Sequence, residues 1–85
     1  MNFKLYIKPS AVKESRKIPA SIKGKIRKAL SDLVINPMPH GVKKLQGRQS
    51  VYRIRVGEYR VLYTVDDLSN SIHILSILHR REAYR

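Results

Sequence analysis

The chain has 85 residues, 42% of them hydrophobic, no cysteine, and a formal charge of +12 from 18 basic and 6 acidic side chains. That length supports one modest core and hence a single domain over residues 1–85, and the lack of cysteine removes disulfide frameworks and thiolate metal sites. No apolar run approaches the roughly 20 residues of a membrane span, and residues 1–9 lack the long apolar core of a signal peptide, so a cytoplasmic protein with no membrane partner is expected.

A charge so one-sided calls for a polyanionic partner, with nucleic acid first and an acidic protein beside it. Lysines and arginines alternate with apolar residues along the whole length. The charge therefore belongs to a folded surface and not to a tail.

In chain order, residues 2–8 alternate, with Phe3, Leu5 and Ile7 on one side and Lys4, Tyr6 and Lys8 on the other, which predicts a half-buried strand. Pro9 breaks it, Ser10 is placed to cap a short helix over 11–17, and Pro19 separates that helix from the next. Ser21 is the expected cap of the second. From Ile22 the apolar positions Ile22, Ile26, Ala29, Leu30, Leu33 and Val34 form a helical stripe, with Lys23, Lys25, Arg27 and Lys28 mostly outside it. Gly24 costs that helix about 1 kcal/mol relative to alanine, so the stripe carries the reading.

The 36–41 stretch, NPMPHG, stops the helix. Residues 42–45 fit a short strand and 46–50 a loop. Two strands, 51–56 and 59–65, then meet at a tight Gly57-Glu58 turn, and 72–78 (IHILSIL) reads as a central strand buried on both faces. The expected architecture is α+β, a small, mostly antiparallel sheet of about four strands with an N-terminal helical hairpin packed on it, in the order β-α-α-β-β-β.

Within VYRIRVGEYRVLY, alternation sends Arg53 and Arg55 to one face and Tyr52, Ile54 and Val56 to the other. A second cationic cluster, HRREAYR from His79 to Arg85, begins where the last strand leaves the sheet. Together they suggest a site for phosphate. No Gly-rich phosphate loop, nucleophile elbow or metal-ligand cluster accompanies them, so neither metal nor cofactor is expected.

The layout, the R-x-R-x(4)-Y-R spacing from Arg53 to Arg60 and the HRREAY ending resemble the RelE/ParE superfamily of toxins from type II toxin–antitoxin pairs, over nearly the whole chain. That resemblance implies one of two targets, since RelE-type toxins cut messenger RNA on the ribosome and ParE-type toxins poison DNA gyrase. RelE-type ribonucleases carry a basic pair on the sheet face, an arginine in the next strand, another after the last strand and a tyrosine near the C-terminus. By resemblance these are Arg53 and Arg55, Arg60, Arg80, and Tyr84. The departure is that the best-known RelE pattern has lysines where this chain has Arg53 and Arg55.

Arginine stays protonated at working pH, so Arg53 and Arg55 cannot be general bases. Their expected part is binding and charge stabilisation. Arg60 and Arg80 are expected to stabilise the phosphorane formed by 2′-OH attack. Proton transfer falls to Tyr84 first and to His79 second. Lys43, Lys44, Arg81 and Arg85 are expected to contact RNA more broadly, including 16S ribosomal RNA near the ribosomal A site.

The same resemblance implies a cognate antitoxin, and operator DNA bound through the antitoxin when the two are joined. Beside the mRNA endonuclease stand a ParE-like gyrase inhibitor and an inactive RNA-binding or antitoxin-docking module. From the residues alone, Arg53 and Arg55 are also ordinary solvent-face charges of a hairpin, and Arg60 has Glu58 and Asp67 as candidate ion-pair partners. His40 and His73 read as structural or exposed.

Overall fold

The computed structural model describes residues 2–44 and 51–83. The expected 46–50 loop, the strand end at Leu45, Tyr84 and Arg85 lie outside these residues. The described chain runs β1 (Lys4–Ile7), α1 (Pro9–Ser15), α2 (Ala20–Ile35), β2 (Lys43–Lys44), β3 (Val51–Val56), β4 (Tyr59–Asp66), β5 (Ser71–His79) and α3 (Arg80–Ala83). The strands form one sheet in the order β1-β5-β4-β3-β2. All neighbours are antiparallel except β1 and β5, which run parallel.

The α+β class and the helical hairpin agree with the sequence reading, and two elements add to it. The sheet has five strands instead of about four because Lys43 and Lys44 pair with Arg53 and Tyr52. A short helix, α3, follows the last strand.

The helices start earlier than the serines suggest. Pro9 occupies the first turn of α1 and Pro19 is the N-cap of α2, with no side-chain cap bond at either. A proline has no N–H to leave unpaired and its φ is already close to helical. The carbonyl of Lys8 accepts the N–H groups of Ala11 and Val12, and that of Pro19 those of Ile22 and Lys23. Ser10 and Ser21 therefore sit inside the helices.

The core lies between the helical hairpin and one face of the sheet. Ala11 and Ile18, then Ile26, Leu30 and Leu33 of α2, are buried against Ile54, Val61, Tyr63, Ile72, Ile74 and Ile77. Apolar residues spaced three and four apart bring one stripe of α2 down onto the strands, and alternation in β4 presents Val61 and Tyr63 to it. Burying those side chains removes apolar surface from water, which is the main favourable term in a domain of this size. Strand β5 is paired on both edges but buried mainly on one face, since His73 is exposed.

Two long-range hydrogen bonds fasten the helical layer and its loop. Glu14 of α1 accepts the Ile77 backbone N–H through Oε1 at 3.1 Å. The Tyr63 hydroxyl donates to the Pro37 carbonyl at 2.7 Å, fixing the loop after α2 over the sheet.

One irregularity sets the site. In the β4–β5 ladder Leu62 pairs with Ser76 and Tyr63 with Ile74, so Leu75 is an extra residue in β5. Such a bulge reverses which face each later residue of that strand takes.

Candidate functional site

The sheet face turned away from the helices carries the charge. In β3 and β4 the pairs Arg53–Leu62 and Arg55–Arg60 share this face, and Lys43 of β2 joins it opposite Arg53. Gly41, Lys43, Arg53, Arg55 and Arg60 line one pocket of about 180 Å³. Every charged side chain among these lining residues is cationic. Each strand contributes through alternation, and the tight turn at Gly57, whose φ of +59° suits glycine, brings Arg55 and Arg60 side by side.

Arg60 is 5% exposed. Its Nη1 donates to the Tyr59 carbonyl at 3.2 Å and, at a longer 3.4 Å, to that of Gly57. Backbone acceptors at the turn thus pin the guanidinium, as a buried cation requires. Arg55 is exposed and Arg53 half-buried. Gly41 and Arg55 also border a second cavity of about 340 Å³ that contains His40 and Asp32.

Not every expected residue gathers here. His79 points to the opposite face. It pairs with Tyr59, whose ring it meets edge-on at 5.3 Å, and it borders a cavity with Glu14, Lys17 and Ile18 on the helix side. Its Nδ1 accepts the Arg81 N–H at 3.2 Å, the bond of a helix N-cap to the second residue of α3. The Leu75 bulge is the reason, because uninterrupted alternation from His73 would have put His79 on the arginine face.

Arg80 is held at the hairpin turn, where its Nη1 lies 3.3 Å from Glu58 Oε2 and its N–H donates to the Glu58 carbonyl at 2.7 Å. Glu58 is therefore the partner of Arg80 and not of Arg60. Lys44 pairs with Tyr52 and takes the face opposite Lys43, so only Lys43 of the two reaches the pocket. Arg81 is exposed on α3. Tyr84 and Arg85 fall outside the described residues. Lys43 is the pocket member that sequence reading ranked too low, although its place beside a glycine before the arginine hairpin was a usable signal.

Two groups away from the pocket titrate unusually. Burial, followed by the neighbouring Tyr52, pushes the Tyr63 hydroxyl up to about 12. The side-chain and backbone hydrogen bonds of Ser69 hold Asp66 below the usual carboxylate range. Among the described residues no group of three His, Cys, Asp or Glu side chains is placed to hold a metal. Nor is any described helix long and apolar enough to cross a membrane.

Comparison with known proteins places this arrangement. The family described as ParE toxin of type II toxin-antitoxin system, parDE, matches residues 5–84. The chain belongs to the RelE/ParE family of type II toxins. It is 33% identical over 88 residues to the protein named RelE1 of Methanocaldococcus jannaschii, covering 100% of this chain and 98% of that one. Toxin RelE3 of the same organism is 30% identical over 77 residues, covering 86% of this chain and 85% of its own. The structure resembles RelE in the archaeal RelE-RelB complex of Pyrococcus horikoshii, with a TM-score of 0.84, 29% identity, and coverage of 94% of this chain and 97% of that one. In this RelE/ParE-family toxin the cationic pocket therefore lies on a sheet of the RelE type, opposite the helical hairpin.

Proposed function

We propose that this toxin is a ribosome-dependent mRNA endonuclease that halts translation in the cytoplasm. The observation that carries the reading is the pocket of about 180 Å³ lined by Lys43, Arg53, Arg55 and Arg60. Four cations converging on so small a space repel one another unless an anion sits between them, and a phosphodiester supplies one. The relatives named RelE support the same target.

Cleavage proceeds by attack of the 2′-OH on the adjacent phosphorus. The attacking oxygen forms a bond as the 5′ oxygen leaves, and negative charge grows on the non-bridging oxygens in between. Guanidinium groups aimed at those oxygens lower the barrier without changing protonation. Arg55, exposed at the rim, is suited to take the phosphate first, and Arg60, fixed by backbone carbonyls, to hold a preorganised charge. Tyr84, four residues beyond Arg80, is assigned the proton of the 2′-OH. His79 is set aside because it faces the other side of the sheet. Arg80 and the exposed Arg81 extend the cationic surface beyond the hairpin toward ribosomal RNA.

The partner is a cognate antitoxin, supported by the RelE-RelB complex to which this fold is similar. A groove of about 330 Å³ between the helices, lined by Ile7, Val12, Ile18, Ile26 and Leu30 and edged by Lys23 and Arg27, suits an amphipathic acidic segment of that antitoxin. Operator DNA would then be met through the antitoxin.

The family description that names ParE favours a second reading, inhibition of DNA gyrase. Toeprinting on translating ribosomes and a gyrase supercoiling assay, run with wild type and Arg55→Ala, separate the two. The endonuclease reading expects cleavage at the A site, lowered about 10²–10³-fold in Arg55→Ala with an unchanged melting temperature. Blocked supercoiling with intact mRNA would replace it with the gyrase reading.

A further inference from the structure

The face that carries the cationic pocket continues across β4 and β5 to the edge strand β1. There Tyr6 and His73 are register partners, and their rings stack with centroids 5.2 Å apart and planes 16° from parallel. Both rings are open to solvent. Tyr6 keeps 50% of its surface and His73 is exposed. His73 pairs with Thr64, which lies four residues along β4 from Arg60, so the stacked pair and the arginines share one face.

The imidazole is held from one side. Its Nε2 lies 3.3 Å from Ser71 Oγ, which is itself 2.6 Å from Ser69 Oγ, and Ser71 is 3% exposed. Lys4, paired with Ser71, and Lys8, next in the alternation after Tyr6, add cations beside the rings. Asp66 is the acidic group of this end, and its Oδ1 already accepts the N–H groups of Leu68 and Ser69.

A cross-strand pair needs only contact to stabilise a sheet. An exposed, prefixed ring pair beside lysines, in a chain of charge +12, offers more. It has a π-face for a base and cations for the flanking phosphates, the combination by which proteins hold single strands. We propose that Tyr6 and His73 form a base-stacking platform for single-stranded RNA, which seats a nucleotide a few positions from the phosphate held in the cationic pocket. The proposal rests on the RNA reading above and adds a second contact to it. Two strand spacings and four residues separate the platform from Arg60, on the order of 16 Å. Only an oligonucleotide long enough to bridge that span feels both sites.

The test is equilibrium binding of fluorescent 2′-O-methyl oligoribonucleotides, which cannot be cleaved, to the full chain. One is a dinucleotide-sized probe and the other has about ten residues, within the footprint of small single-strand binders. Tyr6→Ala is expected to weaken the longer probe by about 5- to 150-fold, the usual worth of one stacked base, and to leave the short probe unchanged. Tyr6→Phe keeps wild-type affinity. His73→Ala, which removes an exposed ring, is expected to weaken the longer probe as well and carries the test should Tyr6→Ala not fold.

Wild-type binding of the longer probe by both alanine variants, while Arg55→Ala binds less, would overturn the platform and leave the RNA reading standing. Failure of the wild-type chain to bind either probe would remove both. Loss of antitoxin affinity in Tyr6→Ala, with RNA affinity intact, would overturn the platform in favour of a protein-docking edge.

Discussion

Glu58 receives Arg80 twice, its carbonyl accepting the Arg80 N–H at 2.7 Å and its carboxylate the guanidinium at 3.3 Å. Both side chains are more than half exposed, at 58% and 53%. A pair so open to water contributes less than about 1 kcal/mol, and Glu58→Gln is expected to leave the melting temperature almost unchanged. The carboxylate, however, competes with phosphate for the same cation. Glu58→Gln should raise affinity for single-stranded RNA and steepen its logarithmic salt dependence by about 0.7. The gain should vanish in an Arg80→Ala background, as a double-mutant cycle measures. An equal gain in both backgrounds would take Arg80 off the RNA surface.

The proton-transfer role of Tyr84 is separable from that of His79. Tyr84→Phe keeps the ring and removes the hydroxyl, so single-turnover cleavage on ribosomes is expected to fall by about 10²–10⁴. His79→Gln should affect cleavage much less, because His79 caps α3 on the far side of the sheet. A larger loss from His79→Gln would return the role to the histidine.

Tyr63 makes a prediction about alkaline stability. It is fully buried and donates to Pro37, and its folded pKa of about 12 exceeds the ordinary 10. As pH rises past 10 the unfolded chain loses this proton while the folded chain keeps it, so stability falls between about pH 10 and 12. Below pH 10 the contribution is fully present. Tyr63→Phe should lose about 1 kcal/mol near neutral pH through the unpaired Pro37 carbonyl, and its denaturation curve should decline less over that alkaline window. Parallel declines in the two proteins would assign the alkaline loss to other groups.

Glu14 predicts a local effect. Its Oε1 accepts the N–H of Ile77, a residue that is 4% exposed and lies just beyond the Leu75 bulge. Glu14→Ala leaves that N–H without its acceptor and should cost about 1–3 kcal/mol. Hydrogen exchange at Ile77 should rise more than at Ile72, which lies before the bulge. Uniform acceleration along β5 would mean that Glu14 only supports global stability.

Much of this toxin was legible along the chain. Period-two alternation identified the faces of Arg53, Arg55 and Arg60, because a strand turns each successive side chain to the opposite side and nothing interrupts β3 or β4. The stripe from Ile22 to Leu33 identified the buried face of α2 for the matching helical reason. The charge of +12 and its even spread already required an anionic partner.

Tertiary structure alone decided the rest. The extra residue at Leu75 turned Ile77 and His79 inward, and no local propensity announces a bulge whose position depends on how β4 and β5 pair. The partner of Glu58 depended on where β5 ends, since only the fold brings Arg80 back to the hairpin turn. Likewise Lys43 and Lys44 are equivalent neighbours in sequence, and pairing with Arg53 or Tyr52 alone gave one the pocket and the other the opposite face. Sequence period sets which side chains go together within a strand; the register between strands sets which groups meet across them.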